Sequence, residues 1–113
     1  MVSGINSTLA ALFTFGNKLA NTAGNIANVN IDGYKKRVGV IKDDGANQPQ
    51  LDVSTSNEPG ALIQVNGLLT ETSNVDLTEE LPQLIVSQRG YEANIKALEA
   101  QDEVLKSTLD ILA

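Results

Sequence analysis

Two stretches at opposite ends of this chain place apolar residues at alternating spacings of four and three. That rhythm limits the fold more than any other feature. The first runs Ile5, Leu9, Leu12, Gly16, Leu19, Ala23, Ile26; the second runs Leu77, Leu81, Leu84, Gln88, Tyr91, Ile95, Leu98, Asp102, Leu105, Leu109, Leu112. Each is a heptad seam, the pattern of helices that pack lengthwise against other helices. The spacing predicts one helix from Ser3, as N-cap, to about residue 29, and a second over 76–112. At ~1.5 Å per residue they would be roughly 40 and 55 Å long. Gly16 and Ala23 on the first seam read as a weak spot or as a place where another helix comes close.

The start of the second helix is less regular. Asp76 with Glu79 three residues on reads as a capping box, and Glu79-Glu80 suit the positive end of a helix dipole. Pro82 removes a backbone donor and crowds the turn before it. A short turn at 76–80 followed by regular helix from about 82 is therefore expected.

Between the helices the period shifts towards two. Val38 and Val40 alternate with Arg37 and Gly39, and Leu51 and Val53 with Gln50, Asp52 and Ser54. Leu62–Val65, Asn66-Gly67 and Leu68–Thr72 read as a hairpin, because Asn-Gly suits a type I′ turn. Asp43-Asp44-Gly45 is a second turn signal, and 46–49 and 54–60 read as mobile loops. The expectation is one small antiparallel sheet of three or four strands. The fold class is then α+β, with terminal heptad helices forming an antiparallel coiled-coil-like pair. Its parts are an N-terminal helix (1–30), a β-rich insert (31–74) and a C-terminal helix (75–113).

Composition removes several function classes. Aromatics are 4% of 113 residues with no Trp, so a large compact core is not expected. The net charge of −6 disfavours a phosphate-backbone partner. No Cys and no His are present, so thiolate chemistry, the commonest general base and the commonest metal ligand are all missing. No run approaches the roughly 18 apolar residues of a membrane span, and Met1–Asn17 lacks the basic start of a secretory signal. The sequence thus predicts no enzyme, no cofactor, no metal, no nucleic acid and no membrane insertion.

Few residues compete for a site. Tyr34-Lys35-Lys36-Arg37 is the basic cluster, and it reads as a solvated strand edge rather than a nucleic-acid contact. Asp43-Asp44 and Glu79-Glu80 read as turn and helix-start acids, not as paired catalytic carboxylates. Gln88 and Asp102 are polar interruptions of the second seam, either at an edge open to water or as register devices. Asn25, Asn28 and Asn30 lie where the first helix ends and can cap backbone groups, with Asp32-Gly33 as the turn and Gly33 at positive φ.

Two motifs carry a resemblance. Ala23, Asn25, Ile26, Ala27, Asn28, Gly33, Tyr34 and Lys35 resemble the N-terminal signature of bacterial flagellar rod and hook proteins, the axial family. Gly24 and Ile31 depart from it, where Asn and Thr are usual. Ser73, Asn74, Val75, Asp76, Leu77, Thr78 and Glu80, followed by Ser87, Gln88, Arg89, Tyr91, Ala93 and Asn94, are similar to the C-terminal signature. Pro82 and Gly90 are unusual for it. The resemblance implies a short rod subunit of the proximal type. Such a subunit polymerises through its terminal helices with itself and other axial proteins. It leaves the cell through the flagellar type III export apparatus without a cleaved signal, and resides in the periplasmic rod of the basal body. On this reading the assembly seam is Ile5, Leu9, Leu12, Leu19, Ile26, Leu84, Tyr91, Ile95, Leu98, Leu105 and Leu109. Leu98, Leu105 and Leu109 are expected to lie past the reach of the first helix. A cytosolic coiled-coil scaffold or adaptor is the alternative that the helices alone allow.

Overall fold

A computed structural model describes residues 2–46 and 48–113. The order is α1 (Val2–Ala27), β1 (Arg37–Asp43), β2 (Pro49–Thr55), β3 (Leu62–Val65), β4 (Leu68–Glu71) and α2 (Leu77–Leu112). The described residues extend 78 × 24 × 15 Å, so the molecule is a slender rod.

The helices pack as an antiparallel pair, which three close approaches along their length establish. A Cβ added to Gly4 would meet Gln101 at 3.5 Å, one on Gly16 would meet Tyr91 at 3.7 Å, and Asn25 hydrogen-bonds Glu80. Gly16 therefore has room for a methyl group. The tight point is Gly90, where a Cβ would come within 2.5 Å of Phe15 Cε1. Glycine there lets the Phe15 ring lie against α2.

The packing face differs from a simple reading of the seams. The buried positions described on α1 are Thr8, Thr14, Thr22 and Asn25; Thr14 meets the β2 carbonyl of Pro49, and Thr8, Thr22 and Asn25 each lie one residue before the seam positions Leu9, Ala23 and Ile26. One residue is about 100° of rotation on a helix. On α2, Leu84 and Leu98 are half-buried, but Glu80 and Ser87 are the buried residues, while Leu81 and Gln88 are exposed. Gln88 and Asp102 therefore lie outside the contact. Leu98 falls between Tyr91 and Gln101, both of which meet α1. It runs alongside α1, contrary to the expectation that it lies beyond. From Asp102 onward every residue is exposed, Leu105 by 37% and Leu109 by 57%.

Four details of the elements are corrections. α1 already includes Val2, so Ser3 is a helical residue rather than its N-cap, and α1 ends at Ala27 rather than 29. α2 is regular from Leu77 through Pro82. Proline near a helix start forfeits one hydrogen bond, and the rest of the ladder holds. Asp76 is the N-cap, accepting from the Thr78 N–H and hydroxyl at 2.9 and 2.7 Å, but the box is not reciprocal. Glu79 turns away to pair with Lys36 at 3.2 Å.

The β insert is two separate antiparallel hairpins, not one sheet. In the first, Arg37 pairs with Thr55 and Asp43 with Pro49. Of the expected mobile loop 46–49, Pro49 opens β2, and Asn47 lies outside the described residues. Gly45 has φ +88°, the Asp43 carboxylate accepts from Gly45 N–H, and Asp44 accepts from Ala46 N–H. Likewise β2 runs to Thr55, so strand takes the first residues of the expected loop 54–60. In the second hairpin Val65 pairs with Leu68 around Asn66 (φ 53°) and Gly67 (φ 80°), the two positive angles a type I′ turn requires. The hairpins stay apart because the first lies along α1 while the second touches neither helix nor the first hairpin.

Candidate assembly junction

A comb of polar side chains on α1 holds the first hairpin. The Thr14 hydroxyl lies 2.9 Å from the Pro49 carbonyl, Lys18 Nζ donates to the Gly39 carbonyl (3.3 Å), and Asn21 and Asn25 donate to the Arg37 carbonyl (2.8 Å each). Positions 14, 18, 21 and 25 follow one helix face.

Asn25 is the centre of this junction and is 1% exposed. Its Oδ1 accepts from the Arg37 N–H at 3.0 Å and the Tyr34 hydroxyl at 3.1 Å. Its Nδ2 donates to the Arg37 carbonyl at 2.8 Å and to Glu80 Oε2 at 3.3 Å. One amide thus mimics a strand partner for Arg37 and also ties α1 to α2. Asn74 does the same from the other motif. Its Oδ1 accepts from the Lys36 N–H at 2.6 Å, its Nδ2 donates to the Glu58 carbonyl at 2.9 Å, and its own N–H donates to the Tyr34 carbonyl at 3.2 Å. Two asparagines from opposite ends of the chain therefore clamp the segment 34–37 in place.

The surrounding motif residues complete the clamp. Asn28 Nδ2 donates to the Gly24 carbonyl at 2.8 Å, past the end of α1. Gly33 has φ +75°, and its N–H donates to the Glu71 carbonyl at 2.9 Å. Lys35 pairs with Glu71, and Gly60 N–H donates to the same carboxylate at 3.0 Å. The Lys35 hydrogen bond, then that of Gly60, hold the Glu71 carboxyl below its ordinary value. Asp76 is likewise held low by the Thr78 hydroxyl and N–H. Val75 N–H donates to Ser73 Oγ. Tyr34, Lys35 and Lys36 of the basic cluster are thus tied to Asn25, Glu71 and Glu79 rather than merely solvated, while Arg37 is exposed at the start of the edge strand β1, as expected from its charge.

The remaining motif residues lie elsewhere. Ile26 is half-buried near the end of α1, and Ala27 is exposed. Gln88 and Arg89 are exposed on α2, both directed to Glu92, at 3.4 and 3.7 Å. Ala93 is exposed, and Asn94 donates to the Gly90 carbonyl at 2.8 Å. The bonding residues that sequence reasoning missed are Thr14, Lys18, Asn21 and, as the partner of Asn25, Glu80; the burial of Thr8, Thr22 and Ser87 was equally unsignalled. Glu80 reads as a dipole acid like Glu79, and nothing in its neighbours signals that Asn25 will meet it.

A cleft of about 110 Å³ sits at the junction, lined by Lys18, Thr22, Lys36, Arg37 and Glu80 among others. Several of its polar groups are spent within the chain: Lys18 and Asn21 donate to the backbone and Lys36 pairs with Glu79. Among the described residues no cluster of three or more acidic side chains could hold a metal, and no helix is long and apolar enough to cross a membrane.

Burial is inverted relative to an ordinary small domain. Among the described residues the buried set is Thr8, Thr14, Thr22, Asn25, Ser73, Glu80 and Ser87, with no buried hydrophobic residue. A helix pair with no buried apolar residue described and many large apolar side chains exposed has the kind of surface that packs against other proteins. Comparison with known proteins names the family. Residues 65–111 match the family described as flagellar basal body rod FlgEFG protein C-terminal. The flagellar hook protein FlgE of Helicobacter pylori is 33% identical over 107 residues, 94% of this chain and 15% of that protein. The flagellar basal-body rod protein FlgG of Bacillus subtilis is 37% identical over 60 residues, 51% of this chain and 23% of its own length. FlgE of Escherichia coli is 44% identical over 46 residues, 41% of this chain and 11% of that protein. The chain belongs to the flagellar rod and hook family, and it spans under a quarter of the length of these relatives.

Proposed function

We propose that this chain is a structural subunit of the bacterial flagellar rod, polymerising through its terminal helices with itself and with other axial proteins. The inverted burial carries this reading: the apolar side chains are exposed in one copy and need other subunits to cover them. The two helices, 1–30 and 75–113, form the assembly domain, and 31–74 is the insert that fixes their geometry. The assembly seam is Ile5, Leu9, Leu12, Leu19, Ile26, Leu84, Tyr91, Ile95, Leu98, Leu105 and Leu109. Leu9, Tyr91, Ile95, Leu105 and Leu109 are among the exposed large apolar residues, in keeping with that role. The clamp of Asn25, Tyr34 and Asn74 sets the angle at which the helices leave the insert.

On the same reading the chain performs no catalysis. It reaches the periplasmic rod through the flagellar type III export apparatus. The test is purification of basal bodies from a flagellated strain carrying a tagged copy. Enrichment of the tag with the rod is the expected result. Recovery only from the cytosol, as a folded stable dimer, would overturn it in favour of a coiled-coil scaffold.

A further inference from the structure

The second hairpin is the least supported element of the fold. It touches neither helix, and its base is held by the Thr72 N–H on the Ala61 carbonyl and by the contacts of Glu71. An isolated two-stranded hairpin is marginal in water. This one nevertheless exposes Leu62, Ile63, Val65, Leu68 and Leu69, the last two by 72 and 69%. Apart from Glu71, already paired with Lys35, it carries no charge.

The far end of the molecule has the matching deficiency. α2 continues past the last residue that meets α1, and Leu105, Leu109 and Leu112 are exposed there, Leu109 by 57%. Those leucines follow a spacing of four and three, the anchor pattern of a helix that lies on an apolar surface. The hairpin precedes the start of α2 and the bare helix is its end, so the two surfaces lie at opposite ends of a 36-residue helix in a molecule 78 Å long. Their lengths agree. Residues 102–112 make a helix of about 16 Å, and strands of four residues span about 14 Å.

We infer that the bare end of α2 in one copy lies across the β3–β4 hairpin of the next copy, Leu105, Leu109 and Leu112 covering Ile63, Val65 and Leu68, which the strand register places on one face. This contact deepens the assembly reading above and rests on it. The contact is heterologous: each copy offers one hairpin and one helix end. Such contacts propagate into an open stack instead of closing into a pair. The occupant is a second copy because the chain itself supplies, at the end of α2, an uncovered helix whose length and apolar spacing match the hairpin.

The chain contains no cysteine, so introduced thiols report contacts cleanly. Leu68→Cys and Leu109→Cys change exposed side chains and leave the helix pair and the clamp intact. Each variant, and a mixture of the two, is oxidised as concentrated purified protein and in isolated basal bodies. The expected result is a disulfide-linked dimer in the mixture, lost when either variant is oxidised alone. Dimers from L109C alone would show helix ends pairing with each other, and dimers from L68C alone would show hairpins pairing edge to edge. Either result, or no dimer in any sample, overturns the contact. Presence of the tagged chain in basal bodies without the mixed disulfide would sink this contact while leaving the rod assignment standing. Absence from basal bodies would sink the rod assignment, and the purified protein would still decide the contact.

Discussion

Replacing Asn25 tests whether one amide governs the junction. Asn25→Ala removes the acceptor for the Arg37 N–H and the Tyr34 hydroxyl, and the donor to Glu80. The Arg37 carbonyl keeps the Asn21 amide at 2.8 Å, so that acceptor is not orphaned. Three buried or half-buried groups lose a partner, each worth about 1 kcal/mol net, and the expected loss is about 3 kcal/mol. Asn25→Asp is more informative. Its carboxylate still accepts from Arg37 and Tyr34, but it faces the Glu80 carboxylate across what is now a 3.3 Å hydrogen bond. Like charges at that distance repel. A Glu80→Gln change then supplies a donor, so N25D/E80Q should be more stable than N25D alone, a coupling that a double-mutant cycle isolates. Urea unfolding of the purified chain, followed by circular dichroism, gives the midpoints. A loss below about 1 kcal/mol for N25A, or an N25D protein indifferent to E80Q, would refute the account of Asn25 as the hub.

Gly90→Ala gains about 1 kcal/mol of helix propensity but drives a methyl into the Phe15 ring, with a net destabilisation of about 1–2 kcal/mol. Thermal melts of G90A and of G90A/F15L check it, and the smaller ring-free partner should restore stability. Tyr91→Ala should cost about 1–2 kcal/mol by the same melt, less than the 3 or more of a fully buried aromatic, because Tyr91 is partly open to water. Leu105→Asp with Leu109→Asp should leave the monomer's melting midpoint unchanged while abolishing incorporation into the rod, read by basal-body blotting and motility. Glu71 and Asp76 both titrate below their ordinary 4.5 and 3.8 in the folded chain. A depressed carboxyl favours folding above its unfolded value, and that contribution disappears as pH falls through the folded one. Stability should therefore be flat above about pH 5 and drop below it, and Glu71→Gln should shrink the drop in an acid titration.

The two helices were legible because an apolar period of about 3.5, sustained over many residues, suits a helix and does not suit a strand. The Asn66-Gly67 turn and the Asp76 cap were legible because each is a local device whose chemistry needs no distant partner. The rotation of the helices was not. Apolar periodicity shows which side chains avoid water, not which neighbour covers them. Here Leu9 and Leu109 stay exposed in a single copy while Thr8 and Ser87 are enclosed. The separation of the β insert into two hairpins was also hidden, since it depends on α1 offering hydrogen bonds to one of them. Asn25 stood out as a motif residue, but its bond to Glu80 spans 55 positions that no local pattern connects.

The absence of a buried apolar set among the described residues has a calorimetric consequence. The chain's described apolar side chains are at most half-buried, so unfolding a single copy should give a smaller heat-capacity change than unfolding a domain of this length with an enclosed apolar core. Joining copies would remove those side chains from water, so the heat-capacity change of association is negative. The chain's cohesion would therefore weaken on chilling: stacks formed in warm solution should shed subunits in the cold and recover them on rewarming.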